Sequence, residues 1–301
     1  MIKHREKKEK SPLRQMEMER RITICAFLAI PLILLMIFTY MPMLKMVQYS
    51  TWRWDGFRDP KFIGIDNYKK LLSDPRYFTA FKTSGYYFVG SLAQIAVALY
   101  FAVIFSYKMR AKNFFKGVLF FPSLLNGVAI GFVFLYLFKG DGSLNAFLIA
   151  LGIPQEKLPL WLGNPKLVNW SLTFSSVWRY MGNNMIMFVG AIESIPGELF
   201  EASDIDGASK WQQFKHIIMP NIRTIISLNM ILAVKGAISV YEAPLIITGG
   251  IGGSMTFVLQ TLNTAFTDKK IGLASAMGVV LLLIVLLITV IQKRFIEGKE
   301  E

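Results

Sequence analysis

Charge is scarce in this chain and cysteine nearly absent. Only 18% of its 301 residues are charged, against about 25% in an ordinary soluble domain, and the mean hydropathy is +0.44. The single cysteine, Cys25, excludes an intrachain disulfide and any cysteine-built metal cluster. The two histidines, His4 and His216, lie too far apart in sequence for a metal-ligand spacing, so no metal site is predicted. No Gly-x-x-x-x-Gly-Lys-Ser/Thr segment occurs, and the glycine-rich run from Thr248 to Ser254 lacks the lysine of a phosphate loop. No solenoid-like period is visible. Acids, histidines or a serine–lysine pair do not converge within an apolar run, which argues against an intramembrane enzyme.

What is present is apolar length. Residues 22–44, 84–107, 117–138, 171–195, 224–248 and 271–292 are each long and apolar enough to cross a bilayer. The predicted class is an all-α membrane protein of about six transmembrane helices. Its organisation is a basic tail over 1–21, a membrane domain over 22–292 and a short tail over 293–301. The first run is too long for a cleaved signal, and no small-x-small site follows it.

The net charge is +13, and eight of the 33 Lys and Arg lie in the first 21 residues. Most others flank apolar runs, where they anchor helices, and no basic stripe alternates with exposed aromatics, so nucleic acid is not a predicted partner. With the N-terminus inside, the inner segments hold 18 Lys and Arg and the outer ones 13. That asymmetry predicts both termini in the cytoplasm of a multi-pass membrane protein. Outer loops then cover 45–83, 139–170 and 249–270. The first mixes charges with Trp52, Trp54, Phe57 and Phe62, which predicts short interfacial helices.

The connection over 196–220 carries the most information. Pro196-Gly197 marks a turn, and a short acidic helix follows, ended by Gly207 in a left-handed conformation. Ser209 and Gln212 have capping-box spacing. Ala208, Trp211, Phe214 and Ile217 then recur as one apolar stripe that Pro220 ends. Such an element suits docking to another protein or resting on lipid headgroups.

This stretch resembles the Glu-Ala-Ala…Gly…Ile-x-Leu-Pro signature of permeases of binding-protein-dependent ABC importers. It reads Glu201-Ala202-Ser203, Gly207, Ile217, Met219-Pro220, with Ser203 and Met219 as departures. Phe62-Ile-Gly-Ile-Asp-Asn-Tyr68 and Thr248-Gly249-Gly250 are similar to the carbohydrate branch, although that branch usually continues Gly-Pro where this chain has Ile251-Gly252. The resemblance extends over residues 27–294. It implies a type I ABC importer permease-like bundle in a bacterial cytoplasmic membrane, moving a sugar or oligosaccharide by alternating access. Glu201, Ala202, Ser203, Asp206, Gly207 and Ala208, with Trp211, Phe214, Ile217 and Pro220, would form the helix that couples to the ATPase. The implied partners are a second homologous permease, two cytoplasmic ATPases and an extracytoplasmic sugar-binding protein. No cofactor is expected on this non-enzymatic chain; ATP and Mg belong to the ATPase. The alternative is a proton- or ion-coupled secondary sugar transporter, which would usually show inverted repeats and more spans.

Charged groups inside spans need partners or a cavity. Glu193 and Glu242 lie near span ends, while Arg179 and Lys235 lie deeper. Each cation either pairs with an acid, such as Glu242 or one on the partner permease, or lines a polar sugar path. In similar maltose permeases the fourth and fifth spans supply the sugar contacts. The candidates here are Ser176, Arg179, Tyr180 and Asn183 on the fourth span, with Trp178 as an aromatic face, and Lys235, Ser239, Tyr241 and Glu242 on the fifth. Asn126 on the third joins them, or makes a helix–helix hydrogen bond instead. Pairing of the cations would go with a neutral cargo, and a neutral or mixed oligosaccharide is the expectation.

Overall fold

The computed structural model describes residues 12–107 and 109–297. The predicted tails therefore lie partly outside the described residues. α1 (Pro12–Leu35) runs through a π turn at Met36–Tyr40 into α2 (Met41–Ser50), forming one long first crossing. A two-strand antiparallel ribbon follows, β1 (Trp52–Arg53) with β2 (Lys61–Phe62), and then α3 (Asp66–Ser73). α4 (Pro75–Ser106) is the second crossing. It starts earlier than predicted because Asp74 caps it, its carboxylate accepting the Arg76 N–H at 3.1 Å, with Pro75 in its first turn.

The third span is not one helix. α5 (Lys112–Leu124) and α6 (Gly127–Phe138) are separated by two extended residues, Leu125 and Asn126. Asn126 is the N-cap of α6, its side chain accepting the Val128 N–H at 2.8 Å. It is thus neither a helix–helix bridge nor a residue of the cavity described below. α7 (Ser143–Ala150) lies within the segment predicted as a loop. α8 (Val168–Glu193) is the fourth crossing. Among the described residues five helical stretches are long and apolar enough to span a membrane by length and composition; α8 has the length but carries Arg179, Asn183, Asn184 and Glu193.

α9 (Gly197–Ile205), α10 (Lys210–Gln213), a π turn at Phe214–Ile218 and α11 (Met219–Asn221) form the connection to the fifth span. Pro220 does not end the helix as expected. The Met219 N–H reaches back to the Phe214 carbonyl across the wider turn, and the helix continues through the proline. The same arrangement accommodates Pro42, where Met41 N–H bonds Met36 O. A proline ring crowds the carbonyl four residues back and brings no N–H, so a widened turn before it relieves both problems.

The fifth span is also interrupted. α12 (Arg223–Ser239) stops at extended Val240, and a π turn at Pro244–Thr248 completes the crossing. The segment predicted as the last outer loop contains α13 (Phe257–Leu262) and a π turn at Asn263–Thr267. Phe257 is fully buried there, stacked on Phe81 at 4.1 Å between ring centres, so this piece is core rather than loop. α14 (Ile271–Glu297) is the last crossing.

α4 and α8 form the central pair. A Cβ on Gly90 would overlap Thr173, and one on Gly182 would overlap the Leu119 carbonyl of α5. Small residues let these helices approach closely where no hydrophobic effect drives their association. One apolar cluster joins Ala98 and Phe105 of α4, Phe188 and Ile192 of α8, and Ile218 and Ile222 beyond the connection. A second gathers Tyr87, Ile130, Phe134, Leu172 and Ile247. Over residues 16–35 α1 buries no side chain: Phe27 and Ile30 are exposed, as is Phe38 in the π turn that follows, which suits a helix facing lipid or a neighbouring subunit.

Candidate functional site

The two helix breaks meet. Val240 and Tyr241 of the fifth span and Gly127 of the third border one cavity of about 400 Å³, walled on its other sides by α4 and α8. The carbonyl freed at Val240 accepts the Thr256 hydroxyl at 2.7 Å, which satisfies a backbone group that hydrocarbon could not. The cavity is lined by Ser91 and Gln94 of α4, Ser176, Tyr180 and Asn183 of α8, and Ser239 and Tyr241 of the fifth span.

Arg179 and Glu242 face each other across it, Nη1 to Oε2 at 2.6 Å. The guanidinium also lies over the Tyr180 ring, 4.8 Å from its centre, a cation–π contact. The carboxylate sits against the first residue of α6: a Cβ on Gly127 would overlap both Glu242 Oε2 and Arg179 Nη1. The carboxylate thus lies between the guanidinium and the N-terminal end of α6, where the helix dipole is positive. Chemically, the cavity offers hydroxyls, amides and three phenol rings, with its one cation already matched by its one anion.

Ser176, Arg179, Tyr180, Asn183, Ser239, Tyr241 and Glu242 are brought together as predicted. Lys235 is not. It is exposed, outside the lining that Leu232, Gly236 and Ser239 of the same helix supply, and without an ion pair among the described residues. Trp178 also points elsewhere, edge-on to Phe134 at 5.4 Å. Gln94, Gly127 and Asn184 line the cavity and were not anticipated. The Asn126-Gly127 pair, a turn signal in mid-span, could have revealed the break.

The second site is the α9–α11 connection. Its capping box is formed: Gln212 N–H donates to Ser209 Oγ at 3.3 Å, and Ser209 N–H to Gln212 Oε1 at 2.7 Å. Gln213 is completely buried and donates to Ser203 Oγ at 2.8 Å and Asp204 Oδ1 at 2.7 Å. The serine at position 203 is therefore a structural partner that alanine would not supply. Lys210 closes the network on Asp204 at 3.2 Å, and its ammonium lies 5.2 Å from the Tyr107 ring centre at the end of α4. Together the Lys210 and Gln213 hydrogen bonds hold the Asp204 carboxyl below its ordinary value. Gly207 has φ +76° with open space around it, so conformation and not crowding requires glycine.

The apolar stripe faces the wrong way for docking. Phe214 and Ile217 pack inward on the α4–α8 cluster, and Ala208 is half-buried. The most exposed large apolar side chains are Ile205 (86% exposed) and Trp211 (69%), flanked by Glu201, Ala202 and Asp206, with Leu199 of α9 less exposed. Glu201 makes no ion pair among the described residues. At the base, Glu193 is anchored by Lys116 at 3.0 Å and Lys112 at 3.9 Å.

Comparison with known proteins agrees with this arrangement. The chain is 34% identical to the probable ABC transporter permease protein YurN of Bacillus subtilis, over 90% of this chain and 96% of that one. It is 32% identical to the multiple sugar-binding transport system permease protein MsmF of Streptococcus mutans, over 88% of this chain and 92% of that one. In fold it is similar to a chain of a bacterial ABC transporter involved in the import of the acidic polysaccharide alginate. The TM-score is 0.81 at 19% identity, covering 94% of this chain and 98% of the other. Residues 94–299, from mid-α4 through both broken spans and the α9–α11 connection, match the family of binding-protein-dependent transport system inner membrane components, and the chain belongs to that family.

Proposed function

We propose that this chain is one of two homologous permease subunits of an ATP-driven importer that carries an uncharged oligosaccharide across the bacterial cytoplasmic membrane. The observation that carries the cargo assignment is the Arg179–Glu242 pair: the one cation of the cavity is matched by its one anion. What remains for a ligand is hydroxyl, amide and aromatic surface, which suits a neutral polyol. Relatives include a multiple-sugar permease and an sn-glycerol-3-phosphate permease, so the family spans both charge classes. A free guanidinium would favour an anionic cargo through a bidentate contact; a paired one does not.

Both termini lie in the cytoplasm on this reading, and so does the α9–α11 connection. Ile205 and Trp211, with Glu201 beside them, dock on the ATPase, which holds ATP and Mg. A binding protein delivers the sugar from outside, and alternating access moves it inward. Lys235 supports the second permease: a cation on the open side of α12 needs an acid from a neighbour in a bilayer. The secondary-transporter alternative finds no support in the family match.

The test is uptake by the assembled transporter of size-matched neutral and uronic acid oligosaccharides. Wild type should take up the neutral sugar, in an ATP-dependent manner. Loss confined to the acidic sugar in Arg179→Gln would overturn the neutral assignment.

A further inference from the structure

A second cleft, of about 470 Å³, lies on the face of the bundle opposite the α9–α11 connection. Its walls are the β1–β2 ribbon, the first turns of α3 and Lys269–Lys270 ahead of α14. The Gly272 N–H donates to the Trp54 carbonyl at 3.2 Å and ties the ribbon to α14. Two crossings end here, one at Ser50 and the other at Ile271. The cleft therefore sits at headgroup level.

Six cations line it, Arg53, Arg58, Lys61, Lys70, Lys269 and Lys270, against three acids, Asp55, Asp59 and Asp66. The acids do not balance them. Asp55 is taken by Arg58 at 3.7 Å and by the N–H groups of Phe57 and Arg58, and Asp66 pairs with Lys69 outside the cleft. Lys270 has Asp268 at 3.4 Å and Lys70 feels Asp74 only at longer range, while Arg53, Lys61 and Lys269 form no ion pair among the described residues. The ribbon register sets Arg53 directly opposite Lys61. Like charges so placed repel each other. Lys269 is held at φ +53°, a left-handed conformation uncommon for a side-chain-bearing residue, with its ammonium 5.3 Å from the Phe57 ring centre. Phe57, Phe62 and Ile65 stand exposed around this charge.

We propose that the cleft binds the phosphate of an anionic phospholipid headgroup in the leaflet on that face. An anion between Arg53 and Lys61 removes their repulsion, and Lys269 and Lys70 complete its surroundings. The exposed Phe57, Phe62 and Ile65 reach the headgroup–acyl boundary, where aromatic and aliphatic side chains gain from partial burial. An acidic protein surface would satisfy the cations but leave those side chains in water. The proposal rests on the membrane reading alone, so it stands or falls separately from the cargo.

Native mass spectrometry of the full-length chain tests it, with dioleoyl phosphatidylglycerol and dioleoyl phosphatidylcholine at equal concentration. Wild type should retain phosphatidylglycerol in preference. The Arg53→Gln/Lys61→Gln variant should lose about tenfold of that preference. Lys269→Gly, which removes a charge while suiting the backbone, should lose a smaller part, and Lys157→Gln, an exposed cation elsewhere, none. Equal retention of the two lipids by wild type, or an undiminished preference in both cleft variants, would overturn the proposal. So would glycerol phosphate binding as tightly as the lipid, which would make the ligand a soluble phosphate. Cleft variants that lose uptake while keeping the lipid preference would point to a protein partner and likewise overturn it.

Discussion

Arg179 on α8 and Glu242 beyond α12 are 63 residues apart in sequence and 2.6 Å apart in space, where two interrupted helices meet. Their charges are only partly shielded, with side-chain exposures of 17% and 42%. Removing one partner leaves the other in the cavity without its opposite charge. Arg179→Gln or Glu242→Gln should each cost about 1–3 kcal/mol, less than the loss for a fully buried pair. The double substitution should recover much of that. Thermal unfolding of the purified chain measures it, and a double variant as unstable as the worse single one would refute the pairing.

Gly127 gives an independent handle on the same junction. Gly127→Ala must displace the ion pair, because the new Cβ would overlap atoms of both residues. The expected cost is about 1–3 kcal/mol, the range for overpacking. Gly236→Ala lines the same cavity, has nothing within 4 Å of the new Cβ and sits within α12. It should be neutral or slightly stabilising, since alanine is the better helix former. Equal effects in the same melting assay would count against the geometry.

At the α9–α11 connection, exposed and inward residues should separate cleanly. Trp211→Ala and Ile205→Asp should weaken ATPase recruitment in a pull-down while leaving thermal stability within about 0.5 kcal/mol. Phe214→Ala should destabilise the chain by roughly 2 kcal/mol, because Phe214 is packed on the α4–α8 cluster. The opposite pattern would reverse the assignment of the docking face.

Asp204 predicts a response to acid. Its carboxyl titrates below the ordinary value when Lys210 and Gln213 hold it. The contribution to the folded connection is complete above the unfolded value of about 3.9. It is lost as pH falls through the depressed one. Amide hydrogen exchange over residues 203–213 should accelerate in that acid window, once intrinsic exchange is corrected, and Asp204→Asn should abolish the transition.

The local features were the legible ones. The Ser209–Gln212 cap and the left-handed Gly207 depend on a few neighbours, and both formed where the sequence places them. Hydropathy found the crossings but averaged over Asn126-Gly127 and Val240-Tyr241, because a window of about twenty apolar residues hides a two-residue interruption. Periodicity found the stripe of Trp211, Phe214 and Ile217 without saying what it faces. Phe214 and Ile217 turn to their own bundle, and only three-dimensional packing decides that. Lys235 failed for a related reason: helical spacing sets it beside Leu232 and Ser239 of the cavity wall, yet it lies outside the lining.

Ile218 and Ile222, fully buried between the connection and α12, have a mechanical consequence. They clamp the base of the connection to α4 and α8, so on the proposed docking of the ATPase a push at Ile205 and Trp211 is passed on rather than absorbed by local swivelling. It must travel as a tilt of α8, whose rigid shaft puts Arg179 about 21 Å from Glu193. A small angular displacement at one end becomes a shear across the 2.6 Å contact with Glu242 at the other. The connection then works as the short arm of a lever, and the ion pair as the joint its long arm strains.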